Sequence, residues 1–510
     1  MAVSSNSVTV VNSEVVRCAN DASYETLSSP FRLGPLDTLV APFVPVATVF
    51  VYRQPRDSAS AREELIIPLP RLRLALTRLL DYYPHLTGRL QLNPDGSREI
   101  VSVGTGAELF EARCDLRLDE LASQGGGPSG SGRVRMADLP DAGNAFMAPF
   151  DMSVEAVCAG PPLTIQHTRL ACGSVALGVR VLHTLCDAEG CFQMVRHLAE
   201  IYRQLSPAAG VRDLASTSLR QPPTIEGYMA DLELSPEERR TALKYDPVLH
   251  HIEATPTTAA AEPPPPPQPA EHPAPRVVGR FLRYSGDSLK RLKAAASDPD
   301  DQTAWISTFD ALAAHLYQRI YRARVQIYGD GGEMSPPDIL TPVNLRNRLG
   351  EGGLVQYFPN ALLTVYTTVP PETLAVAPLH RIASALHAMT RHPAVASRDA
   401  IDKTLRWIVA QPDRTKIKWG FRMGNGCLMI SQWNKMDMYA GTTFEAPPVV
   451  ASTPFTEISL IDGLGYFLPT EAQGMGGDAG EIEVCMALTG PVWEVLDRDE
   501  EFTQHLSKMS

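Results

Sequence analysis

Residues 175–202 read VALGVRVLHTLCDAEGCFQMVRHLAEIY, and the spacing of apolar residues in this run decides the fold. Val175, Leu177, Val179 and Val181 alternate with Ala176, Gly178 and Arg180, which is the two-residue period of a strand. After Gly190 the period lengthens: Phe192, Val195, Ala199 and Tyr202 make one helical stripe. A strand, a short loop and a helix in one run form the unit of a layered α/β or α+β architecture. His183 keeps the parity of the four large apolar residues, so it is expected on the packed side where the strand ends. Asp187 follows four residues later, in the loop.

The same mixture extends in both directions. Pro70 opens a helix with Leu72, Leu76, Leu79, Leu80 and Tyr83 on one face, ended by Pro84 and Gly88. Ser307 precedes the stripe Phe309, Leu312, Ala313, Leu316 and Ile320, and with Asp310 it resembles a capping box. The segments Leu362–Thr368, Cys427–Ser431, Gly465–Leu468 and Glu481–Leu488 read as strands.

A chain of 510 residues exceeds what one hydrophobic core usually supports, so two or more domains are expected. Thr255 to Pro275 holds five consecutive prolines, Pro263 to Pro267, a stiff spacer that joins neither a sheet interior nor a packed helix. It divides the chain into residues 1–250 and 276–510, with 251–275 as linker; Gly125 to Gly132 reads as a loop inside the first part. A net charge of −12 argues against a nucleic-acid partner. The eight cysteines show no C-x-x-C pair and no zinc spacing, so reduced thiols and no metal site are expected. No run is long and apolar enough to span a membrane, the N-terminus lacks a signal-peptide pattern, and Ser510 displaces Ser507-Lys508-Met509 from the terminus. The expectation is an untargeted cytoplasmic protein.

His183 is either a general base, since a neutral imidazole accepts a proton near pH 7, or a core histidine at a strand end. Asp187 has three readings: it orients the imidazole, pairs with an arginine to brace the loop, or caps the helix after Gly190. Cys186 has no second base arranged for it and reads as inert. His250-His251 reads as a solvated loop. Gly474 to Gly480 lacks the Lys-Ser/Thr of a phosphate-binding loop and reads as a strand connection.

Six segments, in order, resemble the BAHD acyltransferase superfamily. Leu33 to Asp37 is similar to L-S-x-L-D, and Leu76 to Leu90 to the helix ending in Y-P-x-A-G-R. His183 to Asp187 matches H-x-x-x-D, with Ala188 where glycine is most usual. Val343 to Arg348 and Tyr357 to Asn360 resemble V-[ND]-x-R-x-R and Y-F-G-N. Ser431-Gln432-Trp433 resembles T-S-W, and Glu481 to Phe502 resembles the closing strand and helix. One departure stands out: where the family carries D-F-G-W-G, Thr443 to Pro447 keeps only Phe444. That motif is structural in the family, so its loss bears on local packing. Together with the proline-rich insertion, it suggests a fungal-type member.

The resemblance implies two CAT-like domains, each a mixed sheet flanked by helices, with a channel between them, in a monomer. It implies acyl transfer from acyl-CoA, with acetyl-CoA the default, to a hydroxyl or amine of a specialised metabolite, and no permanently bound cofactor. His183 would be the base and Asp187 its structural support, paired with Arg346. Ser431 would donate to the oxyanion. Ser307, Thr308, Arg346 and Trp433 would contact the donor, although one arginine cannot easily serve both phosphate and structure. The competing readings are a catalytically silent binding member of the same fold and a condensation-type domain. The latter usually carries H-H-x-x-x-D-G, whereas Leu182 precedes His183 here.

Overall fold

The computed structural model describes residues 7–55, 65–123, 133–205, 217–253, 275–301, 303–329, 334–349, 353–475 and 480–507. The proline run, the Gly125 to Gly132 loop and Gly476 to Ala479 lie outside them.

Two six-stranded mixed sheets carry the architecture, which is α/β with two sheet-bearing domains. The first runs Val8–Val16, Ala107–Cys114, Leu163–Leu170, Val175–Leu182, Pro45–Tyr52, Val450–Ser452 from edge to edge. Its one parallel pairing joins Ala107–Cys114 to Leu163–Leu170. The second runs Val277–Tyr284, Ile482–Thr489, Leu464–Leu468, Leu428–Gln432, Asp338–Asn344, Leu362–Thr368. There Leu428–Gln432 is parallel to both neighbours.

The strand before His183 is buried at every residue, not at alternate ones. Its odd-numbered residues join the core under the helices, and Ala176 joins a separate cluster with Phe146 and Met147. Gly178 is required there, because a Cβ would lie 2.0 Å from the Phe146 carbonyl oxygen. Two helices, Leu69–Leu80 and Ala188–Gln204, pack together on the other side, with Leu72, Leu76, Leu79, Leu80, Phe192, Val195, Ala199 and Tyr202 all buried. In the second domain the helix Thr308–Tyr328 lies in the core, capped by Ser307 in the box with Asp310.

Two features depart from the sequence reading. The first sheet takes its edge strand from the second half of the chain: Val450–Ser452 pairs antiparallel with Val49–Val51, and Val449 N–H donates to the Val51 carbonyl at 2.7 Å. Pro45–Tyr52 is almost wholly buried and apolar, so an open edge there would leave backbone groups unpaired away from water. His250 is no solvated loop residue. It is buried in the strand His250–Ile252, which pairs with Ile417–Trp419, and burial lowers its pKa to about 4; His251 remains exposed.

The divergent Thr443 to Pro447 segment packs against the first domain through the buried Phe444, while Glu445 and Pro447 stay exposed. The Phe444 ring lies edge-on to Tyr52 and Tyr202, with centroids 5.4 and 4.9 Å away. Glu445 accepts from the Ile67 N–H at 3.2 Å, from Arg71 at 3.4 Å and from the Tyr202 hydroxyl.

Candidate active site

His183 sits in the turn that ends strand Val175–Leu182, and its N–H donates to the Val44 carbonyl at 2.9 Å. From Ser174 through Ala188 every other residue is buried; His183 alone is half-exposed. A polar ring that keeps contact with solvent within a buried stretch is placed to meet a molecule arriving from outside.

The orientation of this ring is set by Asn360. The Asn360 Nδ2 group faces two acceptors, Asp37 Oδ1 at 2.7 Å and the His183 carbonyl oxygen at 2.8 Å. Turning the amide over would put its oxygen against both, so the surroundings fix which end is which. The Asn360 oxygen therefore points to His183 Nδ1, 3.1 Å away, and Nδ1 carries the hydrogen. Nε2 is left with its lone pair in the half-exposed opening. That is the tautomer a general base needs.

Asp37 anchors the amide. Its carboxylate accepts from the Asn360 N–H at 3.1 Å and from the Gly34 N–H at 2.8 Å, while burial pushes its pKa up to about 7 against these hydrogen bonds. Arg98 clamps the same loop, donating to the Asp37 and Val40 carbonyls and to the Thr184 hydroxyl.

Asp187 turns away from the imidazole. It receives both ends of the Arg346 guanidinium, at 2.8 and 2.9 Å, and the backbone N–H groups of Gly190 and Ala361 at 3.0 Å each. It is thus ion-pair partner and helix cap together, two readings that the sequence left as alternatives. Gly190 fits beneath the Phe358 carbonyl, where a Cβ would lie 2.0 Å from the oxygen. The pair locks the segment holding Asn360 against the turn holding His183.

Arg346 as a donor contact is corrected. Besides Asp187 it donates to the Tyr357 and Pro359 carbonyls, and with 8% exposure it has no face to offer a phosphate. Trp433 is buried, and its indole N–H donates to Ser431 Oγ at 3.0 Å. Its ring lies edge-on to Phe192 at 5.5 Å and tilted to Tyr466 at 4.9 Å. Because Ser431 Oγ accepts from the indole, its own hydrogen must point elsewhere, and the residue is half-buried. Ser307 and Thr308 are half-buried at the helix start, where the Asp310 carboxylate already receives the Ser307 N–H at 2.7 Å. Cys186 is fully buried and its thiol is held well above the usual range by burial, so it offers no thiolate.

Sequence reasoning passed over Asn360 and Asp37 as site residues. Both stood inside quoted motifs, but nothing in their spacing signals that residues 323 apart share hydrogen bonds.

The chain matches the Transferase family over residues 6–490. It belongs to that family, within the BAHD superfamily. Among curated BAHD relatives, it is 31% identical over 141 residues to taxadien-5-alpha-ol O-acetyltransferase of Taxus chinensis, a match spanning 27% of this chain and 28% of that protein. It is 27% identical to acyltransferase M4 of Phoma sp. over 59% of this chain and 62% of the relative. The chain thus spans little more than a quarter of the first of these relatives. Among solved structures, vinorine synthase aligns over 98% of both chains with a TM-score of 0.64 at 14% identity. F. graminearum TRI101 complexed with coenzyme A and deoxynivalenol aligns over 94% of this chain and 99% of that one, with a TM-score of 0.65 at 18% identity. These likenesses give the BAHD fold. Among the described residues no helix is long and apolar enough to cross a membrane.

Proposed function

We propose that this protein is an acyl-CoA-dependent acyltransferase acting on a hydroxyl, with an amine as the alternative acceptor, of a specialised small molecule. The observation that carries the reading is the half-exposed His183 with Nδ1–H committed to Asn360 and Nε2 open. In the reaction, Nε2 takes the proton of the acceptor as its oxygen attacks the thioester carbonyl. The carbonyl oxygen gains negative charge, which the Ser431 hydroxyl stabilises. Collapse breaks the carbon–sulfur bond, and the imidazolium returns its proton to the departing CoA thiolate. Both substrates are present together and no acyl-enzyme forms. Acyl-CoA is consumed as co-substrate, acetyl-CoA being the default. The Ser307 and Thr308 hydroxyls would contact the donor. The division at residues 251–275, a monomeric state and a cytoplasmic location belong to the same proposal.

The test is release of free thiol from acetyl-CoA and longer acyl-CoAs by purified protein, with and without hydroxylated acceptors. Thiol release that rises with an acceptor and is lost in His183→Ala is expected. Equal release by wild type and His183→Ala would overturn the assignment.

A further inference from the structure

Four arginines are buried among the described residues: Arg180, Arg319, Arg324 and Arg346. Three of them meet a carboxylate, Arg319 at Asp499, Arg324 at Asp462 and Arg346 at Asp187. Arg180, with 6% exposure, meets none among the described residues. Its one hydrogen bond there runs from Nη1 to the Pro149 carbonyl at 3.2 Å, and the Phe150 ring centroid lies 4.6 Å from its Cζ. Asp151, the next acid along that segment, turns its carboxylate to the Ser153 N–H at 2.8 Å. Burial lowers the Arg180 pKa to about 10, with no neighbouring acid to raise it. A buried cation without a counter-charge is costly, and an arriving anion removes that cost.

The unused donors of Arg180 are not sealed in. Arg324 has an Nε shut off from solvent without a partner, whereas no such atom occurs on Arg180, so its unbonded Nε and Nη2 keep contact with solvent. Arg346 differs in the opposite way, since its N–H groups are spent on Asp187, Tyr357 and Pro359. A guanidinium with its fork of N–H groups unspent matches the two oxygens of a carboxylate.

Position ties this cation to the site. Arg180 stands in strand Val175–Leu182, paired with Ala47 and Thr164, three residues before His183. At about 3.3 Å per residue, the two α-carbons lie roughly 10 Å apart. Ala47 packs with Phe146 and Met147, so Arg180 shares the face of the sheet away from the two helices, and His183 stands at the rim where that face ends. A molecule with a hydroxyl at one end and a carboxylate at the other spans such a distance when a short chain of carbons separates them.

We infer that Arg180 binds the carboxylate of an acidic acceptor, whose hydroxyl at the other end lies at His183. The inference deepens the proposed function and rests on it. The probes are a ladder of linear ω-hydroxy carboxylates of increasing length, each paired with its methyl ester. Each pair is titrated by calorimetry and tested for turnover with acetyl-CoA, in wild type, Arg180→Gln and Arg180→Lys. At the length that fits, wild type should bind the acid about tenfold more tightly than the ester and favour it by a similar factor in kcat/KM. Arg180→Gln should abolish both preferences, and Arg180→Lys should keep part of them, because it retains the charge without the fork. Removing an unpaired cation strands no partner, so both variants should fold. Absence of an acid preference at every length, or a preference that survives Arg180→Gln, would overturn the inference. Acid and ester turned over equally well would do so while leaving the proposed function standing. Acid binding lost in Arg180→Gln, with no thiol released by wild type, would keep the carboxylate site and remove the proposed function.

Discussion

Asn360 holds His183 at both ends of the residue, donating to its carbonyl oxygen at 2.8 Å while accepting from its Nδ1 at 3.1 Å. One amide thereby fixes the backbone turn, the ring rotamer and the tautomer. Asn360→Ala should lower kcat by up to about 10²-fold through ring misplacement, with a much smaller change in the KM for acyl-CoA. Steady-state kinetics with the donor varied would check this; a change confined to KM would contradict it.

Removal of the imidazole itself is a larger loss. His183→Ala should lower kcat by roughly 10²- to 10⁴-fold, the usual contribution of a positioned base. Because the ring is half-exposed and bonds only to Asn360, the melting temperature should move little.

Asp187 has the opposite profile. Arg346→Ala would strand its buried carboxylate and should cost about 3–5 kcal/mol in stability, measured by chemical denaturation. Arg346→Lys should recover only part of this, because an ammonium cannot reproduce the paired bonds at 2.8 and 2.9 Å.

Glu445 stands in for a motif the chain has lost. Glu445→Ala removes the acceptor for Ile67, Arg71 and Tyr202 together and should destabilise the fold by about 1–3 kcal/mol. Denaturant melts of the variant would detect it.

Stability should fall on acidification. Burial lowers the pKa of His167, His197 and His250 to about 4 and of His85 and His315 to about 3. Each therefore takes up a proton on unfolding once the pH drops below about 6.5, and its contribution, complete above that pH, is lost as pH falls toward 3–4. Asp37 and Glu483, both raised to about 7, act in the reverse sense, favouring the fold at low pH and losing that contribution as pH rises through 7. The five histidines outnumber the two acids, so the melting temperature should drop between pH 6.5 and 4.5. A flat profile across that window would refute the balance.

Much of this was legible in the sequence. The change of period across Val175 to Tyr202, the Ser307 cap and four of the six strands of the second sheet are local patterns, and local patterns survive folding. What the sequence withheld is non-local. Val450–Ser452 is three residues long and carries no period of its own; only the unpaired edge of Pro45–Tyr52 calls it into the first sheet. Asn360 and Asp37 converge through chain paths that spacing does not encode, and Arg346 reads equally as phosphate ligand or brace until its donors are counted. His250 misled because a polar pair beside a proline-rich stretch looks solvated, whereas a short pairing partner downstream buries it.

The borrowed edge strand has a consequence for biosynthesis. A nascent chain emerges from the ribosome N-terminus first, so the rim formed by Pro45–Tyr52 stays bare while some four hundred further residues are made. Until residue 450 arrives, that rim is a template for any stray strand, and a gene cut at the proline run would yield a first half permanently in that condition.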